Sequence, residues 1–384
     1  MKIAVLTTDN REPYRQYDNP KPWFGTAPEA LLQGFTHLPE AEVHVIGCTQ
    51  RPMISSPEKL APNIFFHSLH VPKIGWGRTL FQGCVRATKR KLREIKPDIV
   101  HGQGTERECA LGAVFSGFPN VLTIHGNMAE IARMFRSPIT SYQWIAARLE
   151  NVALPRTAGV FCNSAYTESL VTPRTKKTWR VANPLRQEFL KQSSADVPRH
   201  SRCLLLNVGA ITERKRQVEL LEVAEKLKRQ GLDFEIRFIG RAFFSAPYAI
   251  AFRDRLKPLE ATGHARHIPE IGTAELIREM DAAHGLIHFP SEEAFGLVVA
   301  EALARDLKFF GVRLGGIPDI AEGIPGAELF DGDDWRELTD SLTAWIRQGH
   351  SRTTGAAKRM RELYHPLIIA RRHLEIYREV LAKS

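Results

Sequence analysis

The 384-residue chain has little cysteine. Its five residues, Cys48, Cys84, Cys109, Cys162 and Cys203, are odd in number, scattered, and form no CxxC pair. That argues against a disulfide framework and a structural zinc site, and makes a reducing cytoplasm the expected compartment. No apolar run approaches the ~18 uncharged residues that a membrane span needs. The start lacks the charged n-region, apolar core and small-residue cleavage site of an export signal, so Met1 to Asp9 reads as a buried strand. Short-period repeats and low-complexity tracts are missing. So are zinc-finger spacings and aromatic RNA-binding motifs, which argues against nucleic acid as a partner.

What is present is ordinary for a globular protein: 43% apolar and 25% charged residues, in a chain long enough for two domains. The balance is basic, 53 Lys+Arg against 43 Asp+Glu, a formal net charge of +10. Such a field favours anionic partners and says nothing about fold. The densest cluster is Arg86, Lys89, Arg90, Lys91, Arg93 and Lys96, on a basic amphipathic helix predicted over Leu80–Ile95. Two readings stay open for it: a solvated helix face, or contact with an anionic membrane at the inner face.

Short apolar runs alternate with helical stretches. Lys2–Thr7, Glu42–Gly47, Asp98–Gly102, Asn120–His125 and Gly159–Asn163 read as strands, with a helix at Ala27–Leu38. Asn183-Pro184 is a turn signal, and the polar stretch Gln192–Arg202 is the best linker candidate. The alternation restarts at Arg202–Gly209, with a helix at Gln217–Gln230. Phe234–Gly240, Gly285–Pro290, Lys308–Val312 and Ala327–Phe330 are further strand candidates. The pattern predicts an α/β chain of two parallel-sheet units. The expected domains are 1–184, completed by the last helix at 366–384, and 185–365. That helix has Pro366 at its first position and apolar residues at helical spacing.

Ligands of open α/β sheets bind beyond the carboxyl ends of the strands, so the strand exits matter most. After Gly209 come Arg214, Lys215 and Arg216 before a helix: a glycine turn, three cations and a helix start, suited to a phosphate. The spacing is not that of a P-loop. After Gly285–Pro290 come Glu293 and, eight residues on, Glu301, either side of Phe295-Gly296-Leu297. Carboxylates accept the paired hydroxyl donors of sugars and ribose. An acidic first helical turn with Glu301 at the surface fits the same letters.

This segment resembles the signature of the retaining glycosyltransferases of family GT4, which have the GT-B fold. The likeness continues in Lys96-Pro97-Asp98-Ile99-Val100-His101, Leu122-Thr123-Ile124-His125-Gly126, Cys162-Asn163-Ser164, Asn183-Pro184 and Gly315-Gly316-Ile317-Pro318-Asp319. It ends in a closing helix that crosses back to the first domain. The resemblance implies two Rossmann-like domains facing across a cleft, acceptor on the first and nucleotide sugar on the second. It assigns Glu293 to the donor-sugar hydroxyls and Glu301 to the ribose. Gly296 and Leu297, beside Phe295, would offer N–H groups to the diphosphate. Lys215 would neutralise it beside Gly209 and Arg214, and Gly25 would line the phosphates. His125 would sit beside the transferring sugar, so the expected catalytic residues are His125, Glu293 and Lys215. No metal or other cofactor is implied. The donor would be a UDP-, GDP- or ADP-sugar, and the acceptor an envelope glycan, a lipid-linked sugar or a small molecule. An epimerase or phosphorylase on the same fold, or a non-catalytic binding relative, would carry similar residues.

The sequence departs from the family pattern in places. Ala210 stands where many members have Arg, with Arg214 expected to supply the charge. Arg216 stands where Gly is usual, and Arg305-Asp306 replaces a small-residue–Gly step. Asp331-Gly332-Asp333-Asp334 has a DxD spacing, but a turn with an acidic N-cap explains it better than a metal. His264 and His267 lie in a predicted loop with no further ligand nearby. His101 is equally a structural histidine or a site residue.

Overall fold

A computed structural model of the protein describes residues 1–192 and 201–383. Of the linker expected over Gln192–Arg202, residues 193–200 lie outside them. The chain forms two compact units, Met1–Arg186 with Tyr364–Ser384, and Gln187–Leu363. The division precedes the expected linker because the short helix Gln187–Leu190 already belongs to the second unit. Phe189 is fully buried there, and its carbonyl accepts from the Arg305 guanidinium at 3.3 Å.

Unit 1 holds an eight-stranded sheet of β1 (Lys2–Leu6), β2 (Glu42–Thr49), β3 (Lys59–Ala61), β4 (Ile64–His70), β5 (Ile99–Gln103), β6 (Asn120–Ile124), β7 (Val160–Cys162) and β8 (Thr178–Arg180). Their order is β3-β4-β2-β1-β5-β6-β7-β8. All pairs are parallel except β3–β4, an antiparallel edge. The central strands are almost wholly buried, as continuous apolar runs covered on both faces must be. β4 alternates buried with half-buried residues and escapes a search for continuous runs.

The helix Pro366–Leu381 completes this unit. His365 caps it, its Nδ1 accepting from the Leu367 N–H at 3.2 Å. Ile369, Leu374, Tyr377 and Val380 share one core with Ile3, Val5, Leu31 and Phe35. Each such side chain contributes roughly 1.5–3 kcal/mol by leaving water. Its approach to the helix Thr26–Phe35 is close: a Cβ on Gly34 would stand 2.2 Å from the Pro366 carbonyl oxygen, so only glycine fits.

Unit 2 is a six-stranded, all-parallel sheet of β9 (Cys203–Val208), β10 (Phe234–Ile239), β11 (Ala265–Ile268), β12 (Gly285–His288), β13 (Lys308–Val312) and β14 (Ala327–Phe330), ordered β11-β10-β9-β12-β13-β14. His267 lies in β11 rather than in a loop, its Nε2 hydrogen-bonded to the Gly240 carbonyl at 2.8 Å. No helix among the described residues is long and apolar enough to cross a membrane.

Candidate active site

In unit 2 the chain leaves β9 through Gly209, makes a 3-10 turn at Glu213–Lys215, and enters the helix Gln217–Arg229. Gln217 braces the turn, accepting from the Thr212 N–H at 3.2 Å and donating to the Ala210 carbonyl at 3.0 Å. The adjacent loop after β12 is sewn to it. The Ser291 N–H donates to the Arg214 carbonyl at 2.9 Å, and Arg214 pairs with Glu292 at 2.8 Å. At the centre, Lys215 Nζ donates to Glu293 Oε2 at 2.5 Å, and His288 Nε2 meets the same oxygen at 2.9 Å.

Burial opposes ionisation of Glu293, but the Lys215 charge and the hydrogen bonds from His288 and Lys215 outweigh it. The carboxyl is held well below its usual range. Burial, then the Lys215 charge, lowers the His288 pKa despite Glu293, so His288 is neutral and gives its Nε2–H to the carboxylate. Burial pushes Glu292 the other way, against the pull of Arg214. Side-chain exposure is 15% for Lys215 and 13% for Glu293. Losing one of such a pair strands the other, at a cost of about 3–5 kcal/mol.

Behind Glu293 stands the glycine pair. Gly315 has φ +60, and a Cβ there would be 2.0 Å from the Glu293 carbonyl oxygen; the Gly316 N–H donates to that oxygen at 3.0 Å. Gly296, at φ 99, begins the helix Leu297–Leu303, whose first N–H groups have no intrahelical acceptor. Phe295 is buried, and Glu301 is 5% exposed on that helix.

The departures from the family pattern have local replacements. Arg216 adopts the left-handed conformation (φ 56) that glycine would favour; its guanidinium pairs with Asp333 at 2.6 Å and lies over Trp335 at 4.8 Å. Arg305 is buried in a bidentate pair with Asp281. Asp306, at φ 54, accepts from the Ala357 N–H at 2.8 Å. In the DxD stretch, Arg313 takes Asp331, Arg216 takes Asp333, and Asp334 caps the helix Trp335–Arg347. No cluster of three or more metal-ligating side chains occurs among the described residues.

In unit 1, His125 follows β6 and its Nε2 meets Gln103 Oε1, at the end of β5, at 2.9 Å. A carboxamide oxygen only accepts, so Nε2 carries the proton and Nδ1 is left as an acceptor. Burial lowers the His125 pKa to about 4, so the ring is neutral near pH 7. Glu150 shapes the backbone beyond it, accepting from the Met128 N–H at 3.0 Å and Thr105 Oγ1 at 2.8 Å while pairing with Arg174. His101 serves packing: its Nδ1 meets Tyr377 Oη at 2.5 Å and its Nε2 meets Thr123 Oγ1 at 2.7 Å, tying the last helix to β5 and β6. Gly25 precedes the helix Thr26–Phe35, and a Cβ there would meet Pro28 Cδ at 3.6 Å, so packing does not demand glycine.

The structure thus brings Gly209, Arg214, Lys215 and Glu293 together, with Phe295, Gly296, Leu297 and Glu301 on the next segment of chain. His125 and Gly25 belong to unit 1. Sequence reasoning missed His288, Glu292 and Gln103. His288 closes β12 and Gln103 closes β5. A polar residue ending an otherwise apolar strand was the available signal.

Two family models match the chain: glycosyl transferases group 1 over residues 191–362 and glycosyltransferase family 4 over residues 35–181. No curated protein matches significantly. Among solved structures, sucrose-phosphate synthase from Thermosynechococcus elongatus is 16% identical with a TM-score of 0.78, covering 100% of both chains. Anabaena HepE, solved with UDP and glucose, is 15% identical with a TM-score of 0.71, over 99% of this chain and 100% of its own. The lipopolysaccharide outer core galactosyltransferase WaaB is 14% identical with a TM-score of 0.68, over 99% and 100%. These likenesses speak for a GT-B fold.

Proposed function

This chain belongs to the group 1, family 4 glycosyltransferases, and from that premise we propose that it moves a sugar from a nucleoside diphosphate to an acceptor with retention of configuration. The observation that carries the proposal is the single Glu293 oxygen shared by Lys215 and His288 at the carboxyl ends of β9 and β12. A carboxylate fixed in its ionised form binds sugar hydroxyls, and an ammonium beside it neutralises the departing diphosphate. Arg214 and the N–H groups of Gly296 and Leu297 add to that neutralisation without a metal ion. Glu301 takes the ribose, with Phe295, Gly209 and Gly25 completing the donor site. His125, neutral and with Nδ1 free to accept, acts on the transferring sugar. The C1–O bond to the diphosphate breaks with its electron pair going to the departing diphosphate oxygen, a C1–O bond to the acceptor oxygen forms, and the acceptor hydroxyl's proton passes to that departing oxygen.

HepE, a neighbour in fold, was solved with UDP-glucose, which favours UDP among the UDP-, GDP- and ADP-linked donors. The acceptor is a glycan, a lipid-linked sugar or a small molecule. Five buried free cysteines suit a cytoplasmic setting. The basic helix, observed at Gln82–Ile95, exposes Arg86, Arg90 and Arg93; Arg86 and Arg90 line a recess with Ile74 (71% exposed), and Leu80 (48%) precedes the helix. We propose that this face touches anionic membrane; failure to float with anionic vesicles would count against it.

The first test is thermal stabilisation by UDP, GDP, ADP and their sugar conjugates, on wild type and Lys215→Ala. A ligand at 100 times its Kd stabilises by about 2.7 kcal/mol. The expected result is a shift with one nucleotide, lost in the variant. No shift with any nucleotide would overturn the donor assignment.

A further inference from the structure

Unit 1 has a polar recess that the donor chemistry leaves unexplained. It measures about 410 Å³ and is lined by Arg15, Tyr17, Asp18, Gln50, Arg51 and Lys73. Its walls are the segments after β1, β2 and β4, three strands that run parallel. It therefore opens at the carboxyl edge of the sheet, the edge at which Gln103 and His125 leave β5 and β6.

The walls are built in advance. Asp9 and Arg11 form a fully buried ion pair, and Arg11 also donates to the carbonyls of Asn19 and Ser55 and to Ser56 Oγ. One guanidinium thus ties the segment after β1 to the segment after β2. The Ile54 N–H donates to the Tyr17 carbonyl at 3.1 Å between the same two walls. The buried Glu12 carboxylate accepts from Tyr17 Oη at 3.0 Å and from the Gln50 N–H at 2.8 Å. Arg15 is held at φ 55, a left-handed conformation that non-glycine residues seldom adopt. Arg51 lies over the Tyr17 ring at 5.6 Å.

Many arginines of the chain are paired with carboxylates, yet among the described residues Arg15, Arg51 and Lys73 form no ion pair. All three are exposed, so their mutual repulsion is screened by solvent, and together they present a positive field to an entering anion. Less the Asp18 carboxylate of the lining and the Glu12 carboxylate beneath it, they leave one positive charge. A phosphate monoester carries about −1.5 to −2 near pH 7, and Arg suits its planar, paired oxygens.

Resting on the glycosyl-transfer reading above, we infer that this recess receives a phosphate group of the acceptor, so that the enzyme glycosylates a phosphorylated molecule. The phosphate belongs to a small phosphosugar or to a lipid headgroup, and the test separates the two.

Titration calorimetry in phosphate-free buffer at fixed ionic strength would use a panel of hexose 6-phosphates, the matching free hexoses, inorganic phosphate, vesicles of anionic phospholipid, and UDP. The proteins are wild type, Arg15→Ala, Arg51→Ala and, as a control on the exposed side of the last helix, Arg371→Ala. The expected result is binding of a phosphorylated hexose at least tenfold tighter than its free hexose, weakened at least tenfold by Arg15→Ala and Arg51→Ala, and kept by Arg371→Ala. UDP binding is unchanged by the recess variants. Vesicle binding lost with Arg51→Ala but not with Arg371→Ala, with no soluble phosphate bound, would assign the same chemistry to a lipid. A wild type that binds UDP but no phosphorylated probe would overturn the inference, as would equal losses in Arg371→Ala, the mark of a diffuse field. A wild type that binds the phosphorylated hexose but no nucleotide would keep the recess and remove the glycosyl-transfer reading.

Discussion

Two clusters of cations, one in each unit, are held in opposite ways. At the turn after β9 in unit 2 each has a carboxylate: Arg214 with Glu292, Lys215 with Glu293, Arg216 with Asp333. Around the recess of unit 1, Arg15, Arg51 and Lys73 have none among the described residues. A self-neutralised site is stable when empty, and its ligand must displace or join internal partners. A recess with an excess of exposed cations draws anions from a distance, with a strength that salt reduces. The first arrangement favours selectivity, the second capture.

The sharpest break of that contrast is Lys215→Ala. It strands the Glu293 carboxylate and removes the cation proposed to face the diphosphate. A fall in kcat/KM of about 10³-fold is expected, the size seen when one preorganised electrostatic group is lost. Initial rates with the donor found by thermal stabilisation would check it; a fall under tenfold would mean that Arg214 carries the charge. Next comes Glu301→Ala. A hydrogen bond to a charged group contributes about 1.5–3 kcal/mol, so donor affinity should drop roughly 10- to 150-fold by calorimetry. An unchanged Kd would remove Glu301 from the ribose.

The third test is acid stability. Glu293 is depressed in the folded state, so its contribution is complete above the unfolded value of ~4.3 and is lost as pH falls toward the lower folded value. Wild type should therefore lose melting temperature faster than Glu293→Gln between pH 6 and pH 3. Parallel curves would show that the Lys215 pair adds nothing to folding. The smallest effect is expected from Arg216→Gly. Relief of the left-handed backbone, about 1 kcal/mol, is set against an ion pair whose partner Asp333 is 77% exposed. The melting temperature should move by no more than a few degrees, in either direction.

The order of motifs along the chain was enough to read the two sheets, the position of the cationic turn after β9 and the closing helix. Partnerships were not legible, because they join residues far apart in sequence. His288 reads as the tail of a strand until the fold sets it 2.9 Å from Glu293. His101 and His125 look alike as strand-end histidines, and only Tyr377, 276 residues on, separates the packed one from the available one. The antiparallel β3–β4 edge was missed because half-exposed strands lack a continuous apolar run. Arg216 and Asp306 read as departures from a glycine pattern, yet both keep the backbone shape glycine would supply.

The closing helix has a consequence for synthesis. Unit 2 is one uninterrupted stretch, Gln187–Leu363, whereas unit 1 needs residues from Tyr364 onward. On the ribosome, the first unit to begin is the last to be finished. Until the final turn emerges, Phe35, Val43 and Phe161 lack the Ile369–Val380 face that covers them, and a nascent chain holds that apolar surface open throughout the translation of unit 2. Folding yield should thus answer to how fast the codons of Pro366–Leu381 are read and to any lesion that stops translation short of them, even though no residue there is expected to touch the donor.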